Sequence, residues 1–273
     1  MRFALFFITF VANYFMNPKI EKIISMKGEE KIVVLTAYDA LTASLVDSCK
    51  IEMILVGDSV GNVLLGYENT TKVTMQDMLH HVSAVCRAKS NAPVIADMPI
   101  HSYDNPKIAL ENAKKFIMLG ADAVKIEGAK IDVVRELVKN KISVQGHVGL
   151  LPQTMLDYKV QGKTDELANK IIADSIALDK AGIFSLVIEC VPASLGKKIT
   201  ESVSVPTIGI GAGMDCDGQV LVINDLLGLN SGDFKPKFVK RYADLKSEFL
   251  KAVNEYKKEV KERKFPSEEF SYK

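Results

Sequence analysis

The chain has 273 residues, 48% hydrophobic and 25% charged, with 35 basic and 34 acidic side chains and a formal charge of +1. That composition excludes a disordered, collagen-like or disulfide-scaffold protein, and the near-zero charge gives no global field that would draw it to nucleic acid or a membrane. Cys49, Cys86, Cys190 and Cys216 contain no short C-x-x-C pair, so they read as small buried apolar groups rather than a zinc or redox site.

In chain order, the first segment is apolar from Phe3 to Ala12, with one Arg before it and no acidic residue until Glu21. The run is too short to cross a bilayer, which takes about 20 residues. It has the charged start and apolar middle of a secretory signal, but no small-x-small cleavage site follows. Residues 1–15 are therefore expected to be an extension that the fold does not need, ahead of a polar start at Met16-Asn17-Pro18-Lys19. A secretory signal, and an N-terminal helix packed on the domain or on a partner subunit, are the alternatives.

From residue 30 onward, short β-branched apolar runs alternate with segments of helical period. The runs are Ile32–Ala37, Met53–Gly57, Val94–Asp97, Ala123–Glu127, Ile142–Gly146, Leu186–Cys190, Thr207–Ile210 and Gln219–Ile223. Nearly continuous apolar character marks strands buried on both faces. Asn105–Leu119 and Glu166–Ala181 are the clearest helices, stopped by Gly120 and Gly182. Eight such units imply parallel strands joined by right-handed crossovers, and their length fits a (β/α)8 TIM barrel. The expected fold is a single α/β domain over residues 16–273, with a charged helical tail within Phe238–Lys264. An open doubly wound sheet is the structural alternative.

In such a barrel the chemistry sits at the C-terminal ends of the strands. There the sequence places Gly57-Asp58-Ser59, Ala96-Asp97-Met98-Pro99, Lys125-Ile126-Glu127-Gly128, Gly146-His147-Val148-Gly149 and Glu189-Cys190. Four carboxylates converging on one rim repel one another unless a cation or protons neutralise them, and an all-oxygen set suits Mg²⁺. Lys125 and Glu127 are two apart and share a face, so an ammonium stands beside the cluster, as an anionic substrate would require. Gly209-Ile210-Gly211-Ala212-Gly213 is either a phosphate cradle or a tight turn. His80, His81 and His101 read as surface or supporting groups, Asp215 and Asp217 as a polar loop, and Tyr38 and Asp39 as pocket lining.

Several motifs then occur in register: Asp58-Ser59-Val60-Gly61, Ala96-Asp97-Met98-Pro99, Val124-Lys125-Ile126-Glu127-Gly128, Gly146-His147-Val148-Gly149-Leu150, Pro152-Gln153, Glu189-Cys190-Val191-Pro192 and Asp217-Gly218-Gln219. Together they resemble the ketopantoate hydroxymethyltransferase family, from about Lys19 to the C-terminus. The resemblance implies transfer of a hydroxymethyl group from 5,10-methylenetetrahydrofolate to 3-methyl-2-oxobutanoate through an enolate stabilised by Mg²⁺, giving 2-dehydropantoate for pantothenate biosynthesis. Carried over by motif, Asp58, Asp97 and Glu127 would hold Mg²⁺, and Asp58, Ser59, Asp97 and Lys125 would contact the keto acid. Glu189 would be the proton acceptor, and His147 would orient a ligand, a water or the growing hydroxymethyl group. A cytoplasmic homo-oligomer, often a decamer, with no nucleic-acid or membrane partner, is also implied.

The chain departs from the family's pattern in three places. The loop from Gln153 to Lys159 is a few residues shorter than usual. Leu195-Gly196-Lys197 replaces the commoner Leu-Ala-Lys, an exchange expected to be neutral, and the apolar start is not a family feature. The competing functions are another Mg²⁺-dependent 2-oxo acid lyase or mutase of the isocitrate lyase-like group, which would commonly bring a catalytic cysteine, and a non-catalytic metabolite-binding barrel.

Overall fold

The computed structural model describes residues 17–88, 90–155, 159–229 and 236–273. The apolar start and part of the shortened loop after Gln153 lie outside the described residues. Eight parallel strands close into a barrel in sequence order: β1 Ile32–Thr36, β2 Met53–Val56, β3 Val94–Asp97, β4 Ala123–Lys125, β5 Val144–Gly149, β6 Ser185–Glu189, β7 Thr207–Ile210 and β8 Gly218–Leu221. Closure through the β1–β8 pairing removes the open-sheet alternative. Each expected strand is present. The fifth is displaced toward its C-terminus, so that His147 lies within it rather than beyond its end.

Local chemistry sets the helices between the strands. Asn105 caps Pro106–Met118 by accepting from the Ile108 N–H, and Thr164 caps Asp165–Ala181 by accepting from the Leu167 N–H. Gly182 closes the latter helix in the left-handed region at φ +97°. Asp39 likewise caps Ala40–Ser48 through the Thr42 N–H, a structural task rather than the pocket-lining one expected of it.

The period of two along each strand divides the core. Outward residues such as Ile54, Val56, Val124, Leu186 and Ile188 pack under the helices, whereas Met53, Ile95, Ala123, Val187 and Ile208 fill the barrel. The helix Pro18–Ser25 closes the lower end of that interior with Ile20 and Ile23, both fully buried. Above this apolar floor the same inward alternation delivers Asp97, Lys125, His147 and Glu189 to the upper end.

Asp217, at the lower end, is not a loose polar residue. Its carboxylate accepts from the Thr207 N–H at 2.8 Å and the Gly28 N–H at 3.2 Å, and pairs with Lys27 at 3.0 Å. Burial works against its charge, but the Thr207 N–H and Lys27 outweigh it and hold the carboxyl below its usual range. Its stabilising effect is complete above the ordinary carboxylate value and is lost as pH falls through the lower folded value. Asp217→Asn should cost about 2–3 kcal/mol in urea unfolding at neutral pH, and the gap to the parent should close toward strongly acid pH.

The glycine-rich turn after β7 is built for close packing. A Cβ on Gly211 would lie 2.9 Å from the Phe238 ring, and one on Gly213 would lie 2.6 Å from Ala193. The expected neutrality of Gly196 is corrected here. A Cβ on this buried helical residue would stand 2.2 Å from the Ala212 carbonyl oxygen, so alanine demands a shift of the whole turn. Gly196→Ala should cost about 1–3 kcal/mol, read as a lower melting temperature.

The cysteines are all free thiols, but only Cys216 is fully buried. Cys49 is exposed because it ends a surface helix. Among the described residues no helix is long and apolar enough to cross a membrane.

Candidate active site

The upper end of the barrel opens into a cavity of about 580 Å³ whose wall includes Asp58, Ser59, Asp97, Lys125, Glu127, His147 and Glu189. All seven residues expected at the site are thus brought together. Register explains the first contact: Asp97 on β3 is the direct partner of Lys125 on β4, and the Lys125 ammonium donates to Asp97 Oδ1 at 2.7 Å. Asp58 follows β2 and turns back over β3, so that its backbone N–H donates to Asp97 Oδ2 at 3.3 Å. Ser59 is held by the Tyr38 hydroxyl at 2.8 Å, and the Tyr38 carbonyl stands 2.7 Å from His81 Nδ1. Tyr38 and His81 therefore support the site from behind.

His147 stands between two carboxylates, with Nδ1 3.5 Å from Glu127 Oε1 and Nε2 3.2 Å from Glu189 Oε2. Neither nitrogen makes an aligned hydrogen bond, so the contacts are principally charge contacts. Burial and the Lys125 charge oppose protonation of the ring, but Glu127 and Glu189 prevail and raise its pKa to about 9. Glu127 responds in kind: burial raises its carboxyl, while His147, Lys125 and the Gln153 N–H bring it below the usual range. Burial also works against the Lys125 charge, and the carboxylates of Asp97, Glu127 and Asp58 overcome it to keep the ammonium protonated.

Asp58 is the group left under strain of charge. Burial, then the negative charges of Asp97 and Glu127, push its carboxyl well above the ordinary range. The built site thus carries more negative charge than its own cations neutralise. That is the donor chemistry a divalent oxygen-seeking cation fits. Among the described residues no group of three or more His, Cys, Asp or Glu side chains is arranged to hold a metal ion by itself. Mg²⁺ does not need one, because it takes one or two carboxylates and keeps waters and substrate oxygens for the rest.

Two residues of this site were not singled out for a role in the sequence. Gln153 is buried against Asp58, and Tyr103 is buried against Gln153. Both contacts run between residues far apart in the chain, so no local pattern signals them. Cys190 follows Glu189 with φ +47°. Burial and the Glu189 charge push its thiol up to about 11, which is the opposite of an activated nucleophile.

Residues 17–268 match the family model described as ketopantoate hydroxymethyltransferase. The 3-methyl-2-oxobutanoate hydroxymethyltransferase of Thermotoga neapolitana is 53% identical over 257 residues, covering 92% of this chain and 94% of the relative. That of Syntrophomonas wolfei is 51% identical over 253 residues, covering 90% and 91%. Among solved structures, 2,3-dimethylmalate lyase, a member of the PEP mutase/isocitrate lyase superfamily, matches with a TM-score of 0.59 at 14% identity over 92% of this chain and 90% of that one. Phosphoenolpyruvate phosphomutase from Streptomyces platensis matches with a TM-score of 0.59 at 12% identity, covering 89% and 88%. At that identity the structural likeness speaks for the barrel alone.

Proposed function

The chain belongs to the ketopantoate hydroxymethyltransferase family, and from that membership we propose how its own residues carry the reaction. It transfers a hydroxymethyl group from 5,10-methylenetetrahydrofolate to 3-methyl-2-oxobutanoate, giving 2-dehydropantoate for pantothenate synthesis. The observation that carries the residue assignment is the convergence of Asp58, Asp97, Lys125, Glu127 and Glu189 on one cavity wall.

Asp58 and Asp97, backed by Glu127, are the residues that would hold Mg²⁺. When bound there, the ion would polarise the substrate's keto group and lower the cost of removing the C3 proton. The Lys125 ammonium, fixed in place by Asp97, supplies the positive charge that the substrate carboxylate needs. The Ser59 hydroxyl, oriented by Tyr38, gives that carboxylate a second hydrogen bond. Glu189 takes the C3 proton. His147 holds Glu189 Oε2 and so aims the other carboxylate oxygen at the substrate. The C3 nucleophile then bonds to the methylene carbon of the folate, both C–N bonds to that carbon break to leave tetrahydrofolate, and one water supplies the hydroxyl oxygen of the product.

On the same reading residues 16–273 are the catalytic unit, working in the cytoplasm as a homo-oligomer, a decamer by family resemblance. Support for association comes from the helix Leu245–Lys261, where Phe249, Leu250, Val253 and Tyr256 form an exposed apolar stripe. The assignment is tested by incubating the purified chain with both substrates and Mg²⁺ and following 2-dehydropantoate by mass spectrometry. Product that depends on all three components supports it, and absence of product from folded protein contradicts it.

The lyase or mutase reading rests on the barrel alone. It has no activated cysteine at Cys190 to recommend it, and identities above 50% with the hydroxymethyltransferases outweigh it.

A further inference from the structure

Gln153 touches two of the three carboxylates assigned to the cation, and every polar atom of its amide is used. It is 1% exposed. Its Nε2 donates to Asp58 Oδ2 at 2.8 Å and to the Met98 carbonyl at 2.9 Å, while the Tyr103 hydroxyl donates to Oε1. Its backbone N–H donates to Glu127 Oε2 at 3.1 Å, and the Glu127 N–H donates to the Tyr103 oxygen at 3.4 Å. One residue on the loop after β5 is thereby tied to the ends of β2, β3 and β4.

The orientation of this amide has a physical cause. The two ends of a carboxamide are nearly the same shape, so its partners decide which faces where. The Met98 carbonyl can only accept, and the Tyr103 hydroxyl already accepts from Glu127 and has a proton to give. A flipped amide would set its oxygen against the Asp58 carboxylate and the Met98 carbonyl, with acceptors facing acceptors. The observed orientation gives Asp58 an N–H donor instead. That bond engages Oδ2 and so fixes the direction in which the carboxylate faces the cavity.

We propose that Gln153, its amide locked by Tyr103, is a positioning residue that fixes the orientation of the Asp58 carboxylate for Mg²⁺ and couples it to Glu127. The inference rests on the reading of Asp58 as a ligand of that ion. Outer partners of this kind typically change metal affinity by about 10–100-fold when removed.

The test titrates Mg²⁺ into the purified full chain by calorimetry, for the parent, Gln153→Leu, Tyr103→Phe and Asp58→Ala, alongside metal-free thermal melts. Gln153→Leu should weaken Mg²⁺ binding by about 10–100-fold, with Tyr103→Phe changing it in the same direction by less. In turnover assays the half-saturating Mg²⁺ concentration should rise and excess Mg²⁺ should restore kcat. A residue that merely supports the fold would instead lower the melting temperature and kcat and leave Mg²⁺ half-saturation unmoved. If Gln153→Leu does not fold, Tyr103→Phe, which removes one oxygen, decides the matter. Parent-like Mg²⁺ affinity in the folded variants, with binding lost in Asp58→Ala, would overturn the role of Gln153 alone. Parent-like affinity in Asp58→Ala would overturn the ligand assignment beneath it.

Discussion

Glu189→Gln should leave the barrel folded and the keto acid bound while turnover falls by about 10²–10⁴-fold, the usual contribution of a positioned acid–base group. The reason lies in what the other carboxylates are doing. Asp58 is engaged by Gln153, Asp97 by Lys125, and Glu127 by the Gln153 N–H and His147. Glu189 ends β6 with its side chain 16% exposed, against 3% for Asp97 and Glu127. It is therefore the carboxylate best placed to meet a substrate proton. Glutamine keeps its shape and its contact with His147 but cannot accept that proton. Persistent exchange of the C3 proton in the variant would remove Glu189 from this role.

Replacing the aspartates should separate metal binding from stability. Asp58→Ala and Asp97→Ala are each expected to abolish Mg²⁺-dependent binding of 3-methyl-2-oxobutanoate by calorimetry. Their metal-free forms should differ. Asp97→Ala leaves the Lys125 ammonium, 5% exposed, without its partner, and breaking a buried pair from one side costs about 3–5 kcal/mol. Asp58 stands in the opposite position, since its folded carboxyl is pushed above the ordinary range by burial and by like charges. Such a group destabilises the metal-free fold increasingly as pH rises from its ordinary value toward its raised one. Asp58→Asn, which keeps an acceptor for Gln153 without the charge, should therefore melt no lower than the parent at neutral pH without metal, and show a flatter pH dependence. A lower melting temperature for metal-free Asp58→Asn would contradict this electrostatic account.

Most of the barrel was legible because strands buried on both faces leave continuous apolar runs, which are hard to mistake at eight regular intervals. The fifth strand was misplaced by a few residues because Gly146, His147 and Gly149 interrupt that signal, while Ile142 and Ser143 before it are only approach chain. The helix Pro18–Ser25 shows in the sequence only as a polar start, since eight residues carry too little periodicity to reveal a plug for the barrel floor. Strand-end carboxylates gave away Asp97, Glu127 and Glu189, because register and the period of two carry them inward together. Gln153 and Tyr103 stayed hidden for the opposite reason, as their partners are set by tertiary proximity. Gly196 carries no sign of its constraint in the sequence, because the space of its missing Cβ is taken by the Ala212 carbonyl from a distant turn. Asp217, grouped with Asp215 as loop polarity, proves to tie the lower ends of β1, β7 and β8 together through Lys27, Gly28 and Thr207.

On the proposed mechanism these inward groups remove the C3 proton of a 2-oxo acid with help from Mg²⁺ before any carbon is transferred. Its most direct test is proton NMR of 3-methyl-2-oxobutanoate in D₂O with the chain and Mg²⁺, first without and then with 5,10-methylenetetrahydrofolate. The expected result is loss of the C3 proton signal that EDTA prevents and Glu189→Gln lacks, followed by 2-dehydropantoate once the folate is added. An unchanged C3 signal with folded protein and Mg²⁺ present would contradict it.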